Sequence, residues 1–282
     1  MSTLNNYTTA TRPAHSIGLC IFNTDTKAIE VSDGTNWSIY DYDSGTVSPV
    51  TNTLSAVFDG ATDKLDCGTS TSLMPTGGLS ISCWVKLANS SLFSTLVQRQ
   101  TVSSNGYSVV LNNGSFAFYG TGGHTFGSGF TSTTDWYHVC VTHDNSNVRG
   151  YIDGNLIGTS STTSLVSNTV STKLGNHSSA GVSPLNGKLD EVSIFSSALD
   201  ALNVTQIYNS GSPIDLTINQ GNYNSSSNLV GYWRMGDGAS DTDSGGGSPA
   251  SGDVVGTIAN LGSGIGDVTV SNGSPEYIND AP

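Results

Sequence analysis

The stretch "DWYHVCVTHDNSNVRGYIDGNLIGT", residues 135–159, restricts the fold more than any other part of the chain. Three short runs rich in Val, Ile and Tyr are separated by "DNSN" and "DGN". Asn, Asp and Gly accept the positive φ of tight hairpin turns, and β-branched and aromatic residues suit a pleated surface. Turns this closely spaced leave no room for a helix and call for antiparallel hairpins. The same rhythm occurs upstream in "LSISCWVKL", where Ile81, Cys83 and Val85 alternate with Ser82, Trp84 and Lys86. Composition extends the reading to the whole chain, since 34 Gly and only 11% charged residues fit many short strands joined by turns. The expectation is an all-β protein, and 282 residues suffice for one large sandwich or two small domains.

Charge narrows the partners. Nine Lys and Arg against 22 Asp and Glu give a formal net charge of -13, which repels a phosphate backbone, so no nucleic acid is expected. No run approaches the roughly 20 apolar residues of a spanning helix, so no membrane insertion is expected. The opening "MSTLNNYTTATRPAH" has neither the basic start nor the apolar run of a secretion signal. Cys20, Cys67, Cys83 and Cys140 lack paired metal spacing and read as free core thiols.

Two regions follow from the order of these patterns. Residues 1–45 hold a polar tail and then "IGLCIFNTDTKAIEVSDGTNWSIYDYD", a small β-meander of about three strands. Its apolar residues Leu19, Ile21, Ile29, Val31 and Trp37 are too few for a private core and need cover from elsewhere. "DSGTVSPVTNT" reads as a linker, and residues 46–282 carry regularly spaced strands. One short helix interrupts them. Asp200 is placed to cap "ALNVTQIYN", Val204, Ile207 and Tyr208 recur at helical spacing, and Gly211 ends the run.

Five motifs, "FDGATDKLDCG", "LSISCWVKL", "DWYHVCVTHDN", "RGYIDGNLIG" and "LNGKLDEVSIFSSALDALNVTQIYNSG", resemble in order and spacing the laminin-G-like members of the concanavalin A-like lectin and glucanase superfamily. The resemblance covers about residues 54–213 and implies a two-sheet antiparallel jelly-roll sandwich. "NLVGYWRMGDG" and "TIANLGSGIGDVTVSNGSPEY" resemble the strand pair that opens such domains, here placed after the helix, so segment 229–281 is expected to close the sandwich. The resemblance further implies a structural Ca²⁺ held by Asp190 with oxygens around the "FDG" turn at Asp59 and Gly60. The N-terminal meander resembles short modules of tailed-bacteriophage virion proteins. That likeness implies a non-enzymatic virion surface protein, either a capsid decoration or head fibre or a tail-fibre subunit. Such a protein is made in the host cytoplasm, localises to the virion, contacts other capsid or tail proteins, forms a homo-oligomer there and binds a host-surface glycan. The alternative is a free carbohydrate-binding lectin or a non-catalytic module of a glycan-active enzyme.

The adjacent acids of "KLDEVSIF" are the first candidate site. In a regular strand Asp190 shares a face with Val192 and Ile194, and Glu191 with Leu189, Ser193 and Phe195. A carboxylate on such a strand needs donors or a cation. Asp190 therefore reads either as a calcium ligand or as an acceptor of backbone N–H groups. Catalysis is disfavoured, because retaining glycosidases need two carboxylates about 5 Å apart on one face. Glu30, Glu191 and Glu276 are the only Glu residues and none belongs to an alternating acidic run. Aromatic residues offer a second site. In "GYSVVLNNGSFAFYGTGGHTFGSGF", Phe116 and Phe118 read as core, while Tyr107 and Tyr119 are candidate glycan contacts. "GDGASDTDSGGGSPASGD", residues 236–253, lacks the spacing of an EF-hand and reads as a solvated loop.

Overall fold

The computed structural model describes residues 6–14, 19–24, 28–32, 35, 37–40, 50–89, 93–100, 105–177 and 183–282. The chain divides into two compact units, Met1–Val47 and Ser48–Pro282. In the first, Cys20–Asn23, Ala28–Ser32 and Trp37–Tyr40 form the antiparallel meander that the turns predict. A fourth strand, Asn6–Tyr7, joins in parallel along Cys20–Asn23 and gave no pattern to read, having only two residues. Ile21 is buried, while the side chains of Ile29, Val31 and Trp37 lie outside the described residues. Cys20 is exposed, which corrects its assignment to a core; Cys67, Cys83 and Cys140 are buried thiols as expected.

The second unit is a sandwich of two eight-stranded sheets and one α-helix. The first sheet runs from edge to edge through Gly123–Ser128, Ser115–Tyr119, Gly106–Asn112, Phe93–Gln100, Lys173–Leu174, Lys64–Asp66, Val268–Asn272 and Thr257–Ile258. The second runs through Asn155–Ser161, Asn147–Ile152, Tyr137–His143, Leu79–Leu87, Asn186–Phe195, Ser55–Asp59 and Glu276–Ile278, with Leu229–Trp233 also paired to Asn186–Phe195. Every pairing in both sheets is antiparallel. Alternation fills the space between them: Ile81, Cys83 and Val85 from one sheet meet Val109, Phe116 and Phe118 from the other. Segment 229–281 supplies strands to both sheets, and Glu276–Ile278 pairs with Ser55–Asp59. Just beyond it, Asp280 accepts from Lys86 at 3.0 Å, from the Trp136 indole at 3.1 Å and from Lys188.

The helix, Ala201–Tyr208, begins where Asp200 accepts from the Asn203 N–H at 2.8 Å. It stops one turn before Gly211, because Asn209 itself takes the left-handed conformation. Val204 and Ile207 are buried, and the Tyr208 ring stacks on Trp84 with centroids 5.8 Å apart. The outer face of the second sheet is therefore covered here.

Under this cover the strand Asn186–Phe195 departs from regularity. On one side it pairs with Leu79–Leu87; on the other, Asn186 to Leu189 pair with Ser55–Asp59 and Val192 to Phe195 pair with Leu229–Trp233. The register against Leu79–Leu87 shifts between Asp190 and Ser193, and Glu191 has φ 48°. Leu189, Val192 and Ile194 all join the inter-sheet core, so two residues separate the first pair of inward positions. The bulge thus excludes both Asp190 and Glu191 from the core, which corrects the opposite-face assignment made for a regular strand.

Both carboxyl groups are buried, at 0% and 4% exposure, and each has partners. Asp190 accepts from Asn52 Nδ2 at 2.9 Å and from the Glu191 N–H at 2.7 Å. Glu191 accepts from Arg234 Nε at 2.9 Å and from the Tyr232 hydroxyl. Burial and the neighbouring Glu191 charge push the Asp190 carboxyl well above its ordinary value. Burial also raises Glu191, but Arg234 and the Tyr232 hydroxyl oppose it, so Glu191 carries the charge of the pair.

Two substitutions separate these roles. Glu191→Gln leaves Arg234 buried without its counter-charge and should lower unfolding free energy by about 3–5 kcal/mol at neutral pH. Below about pH 4, where Asp190 is protonated in both states, Asp190→Asn should change it by no more than about 1 kcal/mol. Because the folded-state Asp190 value is raised, the parent's stability from this group is full below the unfolded value and falls as pH rises through the folded value. The Asp190→Asn variant should therefore gain on the parent from about pH 4 upward, as read by denaturant titrations at several pH values.

Candidate functional site

The expected calcium ligands do not meet. Asp59 pairs with Asn186 in the ladder, so Asp190 lies four residues further along the strand, about 13 Å at the rise of a β-strand. Asp59 Oδ1 is occupied as a turn cap, accepting from the N–H groups of Ala61 at 2.8 Å, Thr62 at 2.9 Å and Asp63 at 3.2 Å. Partial burial raises the Asp59 carboxyl, yet these backbone donors outweigh it and hold it below its ordinary value. Gly60 makes the turn possible with φ 74°, and a Cβ there would come within 2.7 Å of Asn186 Cβ. Asp59, Gly60 and Asp190 thus serve two separate structural purposes and do not fit one shared cation. Among the described residues, no three or more His, Cys, Asp or Glu form a group that could hold a metal. The 236–253 segment is largely exposed, as a solvated loop should be, and its turns are capped locally: Asp241 accepts from the N–H groups of Gly236, Gly238 and Ala259.

The two tyrosines part company. Tyr107 is 0% exposed and its hydroxyl donates to the Leu73 carbonyl at 2.7 Å, which corrects its assignment as a ligand contact. Burial pushes its phenol up. The signal was present in the sequence, because Tyr107 shares inward parity with Val109 and Leu111. Tyr119 has the opposite parity to core Phe116 and Phe118 and sits at the outer face of the first sheet. It stands opposite Ser108, which stands opposite Gln98. On its other side it faces Gly123, where a Cβ would lie 2.9 Å from the ring. Gly123 is therefore what lets the ring lie down against the neighbouring strand.

Tyr119 lines a groove of about 230 Å³ with Phe93, Thr95, Gln100, Ser108 and His177. Phe93 is 37% exposed. A β-bulge follows Thr95, between it and Val97. Thr95 is buried and its hydroxyl has no hydrogen-bond partner. That oxygen is covered by its neighbours, so it is a buried polar atom left unpaired beneath the groove and not a contact the groove presents, whereas buried polar atoms are normally paired. Burial, with Lys64 second, lowers His177, which keeps the ring neutral at pH 7. The contributing residues come from strands far apart in sequence and from the segments beside them. Sequence patterns gave Tyr119 alone.

A family model described as the concanavalin A-like lectin/glucanases superfamily, laminin G type, matches residues 59–205. The chain belongs to the concanavalin A-like lectin/glucanases superfamily. No curated protein matches it. Among solved structures of the superfamily's fold, it is similar to a candidate carbohydrate-binding protein from Bacteroides ovatus, with TM-score 0.60 and 15% identity, covering 83% of this chain and 62% of that one. The chain thus spans less than two thirds of that relative's length. It is also similar to a heptameric SAP-like pentraxin from Limulus polyphemus, with TM-score 0.46 and 14% identity over 56% of this chain and 82% of that one. A third is domain 4 of a GH43 extracellular arabinanase from Geobacillus stearothermophilus in complex with arabinotriose, with TM-score 0.45 and 22% identity over 55% and 76%. At 15% identity the likeness to the Bacteroides ovatus protein shows the fold alone.

The unpaired hydroxyl of this superfamily member makes a direct prediction. Thr95→Val keeps the side chain's shape and removes a buried polar group without a partner, so the variant should be as stable as the parent or more stable by about 1 kcal/mol. Chemical denaturation measures the difference. A loss of more than about 1 kcal/mol would show that the hydroxyl is paired in solution.

Proposed function

We propose that this protein is a non-catalytic, glycan-binding jelly roll displayed on a tailed-phage particle, with residues 1–45 as the attachment segment. The groove on the first sheet carries the reading. Tyr119 and Phe93 offer ring faces for the apolar side of a sugar, and Ser108 and Gln100 add hydroxyl and amide groups beside them. The likeness to a candidate carbohydrate-binding protein from Bacteroides ovatus is consistent with this use of the fold. The absence of a catalytic role is supported by the placement of Asp190 and Glu191, which are buried and engaged away from that groove. The virion setting is supported by the likeness of the N-terminal meander to phage particle modules, with capsid or tail proteins and further copies of the chain as its partners. A free lectin is the competing reading, because the groove serves it equally well.

Titration calorimetry against a panel of oligosaccharides tests the groove. Tyr119→Ala should weaken binding about 10- to 100-fold, the loss of one stacked ring, while Gln100→Ala should weaken it about 2- to 10-fold, the loss of one hydrogen bond. Full affinity in both variants would place sugar binding elsewhere. Sedimentation with particles tests the setting. Removal of residues 1–45 should abolish co-sedimentation and leave glycan affinity unchanged. A truncated protein that still sediments with particles would refute the attachment role, and a full chain that never does so would favour the free lectin.

A further inference from the structure

Given that the groove beside Tyr119 is the sugar site, we infer that its ligand is an uncharged glycan and that the site rejects sugars bearing carboxylate or sulfate. An anionic sugar is held most strongly by a cation within hydrogen-bonding reach, supplied most often by the planar fork of Arg or by a Lys ammonium. None of the described residues lining the groove is Lys, Arg, Asp or Glu. The stretches adjoining it in sequence, residues 90–92, 101–104 and 178–182, contain only Ser, Leu, Thr, Val, Ala and Gly. Two cations stand nearby without lining it. Lys173 follows Gln98 in the cross-strand row and is spoken for by Asp66. Lys64, on the next strand, acts on His177 through its charge. His177 is the one groove residue that can titrate near neutrality, and both burial and Lys64 favour its neutral form.

The surrounding field acts in the same direction. With a formal net charge of -13, the chain repels an approaching anion at long range, so a sialylated or sulfated glycan meets an unfavourable field before it meets the groove. Once inside, its charge would lose water without gaining a partner, which is the costly half of burying an ion. A neutral sugar meets no such cost. Its hydroxyls find Ser108 and Gln100, exchanging water for protein partners without burying a charge. At about 230 Å³ the groove lies below the roughly 300–1,000 Å³ of pockets that enclose drug-sized ligands, so it suits a short stretch of one or two sugar rings.

The test uses the full chain and matched oligosaccharide pairs that differ only in a terminal sialic acid, a uronic-acid carboxylate or a sulfate. Neutral members should bind, their charged counterparts should bind at least about tenfold more weakly, and the neutral affinity should hold within about twofold from 20 to 500 mM NaCl. It should also be unchanged between about pH 7 and 8, above the lowered His177 value. Tighter binding of the charged members, weakening as salt rises and lost in Lys64→Met, would overturn the inference while leaving the groove as a sugar site. Failure of every neutral and charged probe to bind would instead remove the sugar site itself, and this inference with it.

Discussion

The buried ion pair between Glu191 and Arg234 holds together the part of the sandwich where regular pairing breaks down. The strand Asn186–Phe195 changes neighbour halfway along one edge, from Ser55–Asp59 to Leu229–Trp233. Two strands ending against the same edge would leave unpaired backbone and a wet gap in the sheet. The bulge at Asp190 and Glu191 turns two carboxyl groups toward that junction. Asp190 reaches Asn52, just before the first neighbour, and Glu191 reaches Arg234, just after the second. Arg234 Nη2 then donates to the Thr51 carbonyl at 2.7 Å, and Asp237 accepts from the N–H groups of Thr53 and Leu54, each at 2.8 Å. The clasp joins three segments remote in sequence through charge-assisted hydrogen bonds, the strong members of their kind.

This arrangement explains why an acidic pair in an apolar run is structural here. Two neighbouring carboxylates invite a catalytic or metal reading when each is imagined alone. Inside the protein their desolvation is offset by a guanidinium, a phenol, an amide and a backbone N–H, so each carboxyl group is already engaged. The groove on the opposite sheet shows the reverse pattern. Its polar groups are neutral, and the Thr95 hydroxyl beneath it has no partner.

Periodicity made most of the fold legible. Alternation in "LSISCWVKL" and the turns of "DNSN" and "DGN" specify strands and their faces, and the Asp200 cap with Val204 and Ile207 specifies the helix. A one-residue irregularity defeats the same reasoning. Nothing in "KLDEVSIF" announces a residue at φ 48°, because Glu191 takes that conformation to satisfy Arg234 and Tyr232, more than forty positions away. Asp59 and Asp190 were joined by motif position, and the ladder separates them by four residues. The burial of Tyr107 is legible in its parity with Val109 and Leu111, which face the core on the same strand. The groove stayed hidden for a different reason: Thr95, Ser108 and His177 are ordinary residues individually, and only the strand order brings them beside Tyr119.

The pairing of Glu276–Ile278 with Ser55–Asp59 has a kinetic consequence. A strand near the beginning of the sandwich finds one of its two sheet partners more than two hundred residues later, and its other partner lies beyond residue 185. During synthesis that strand emerges from the ribosome long before anything can cover its edges. Contacts of such sequence separation slow folding, and an uncovered strand edge is a template for pairing with another nascent chain. Asp59 and Asp63 cap the turn that leaves this strand and can form with no distant partner. They give the waiting segment a fixed end and a local charge at the edge most exposed to premature association.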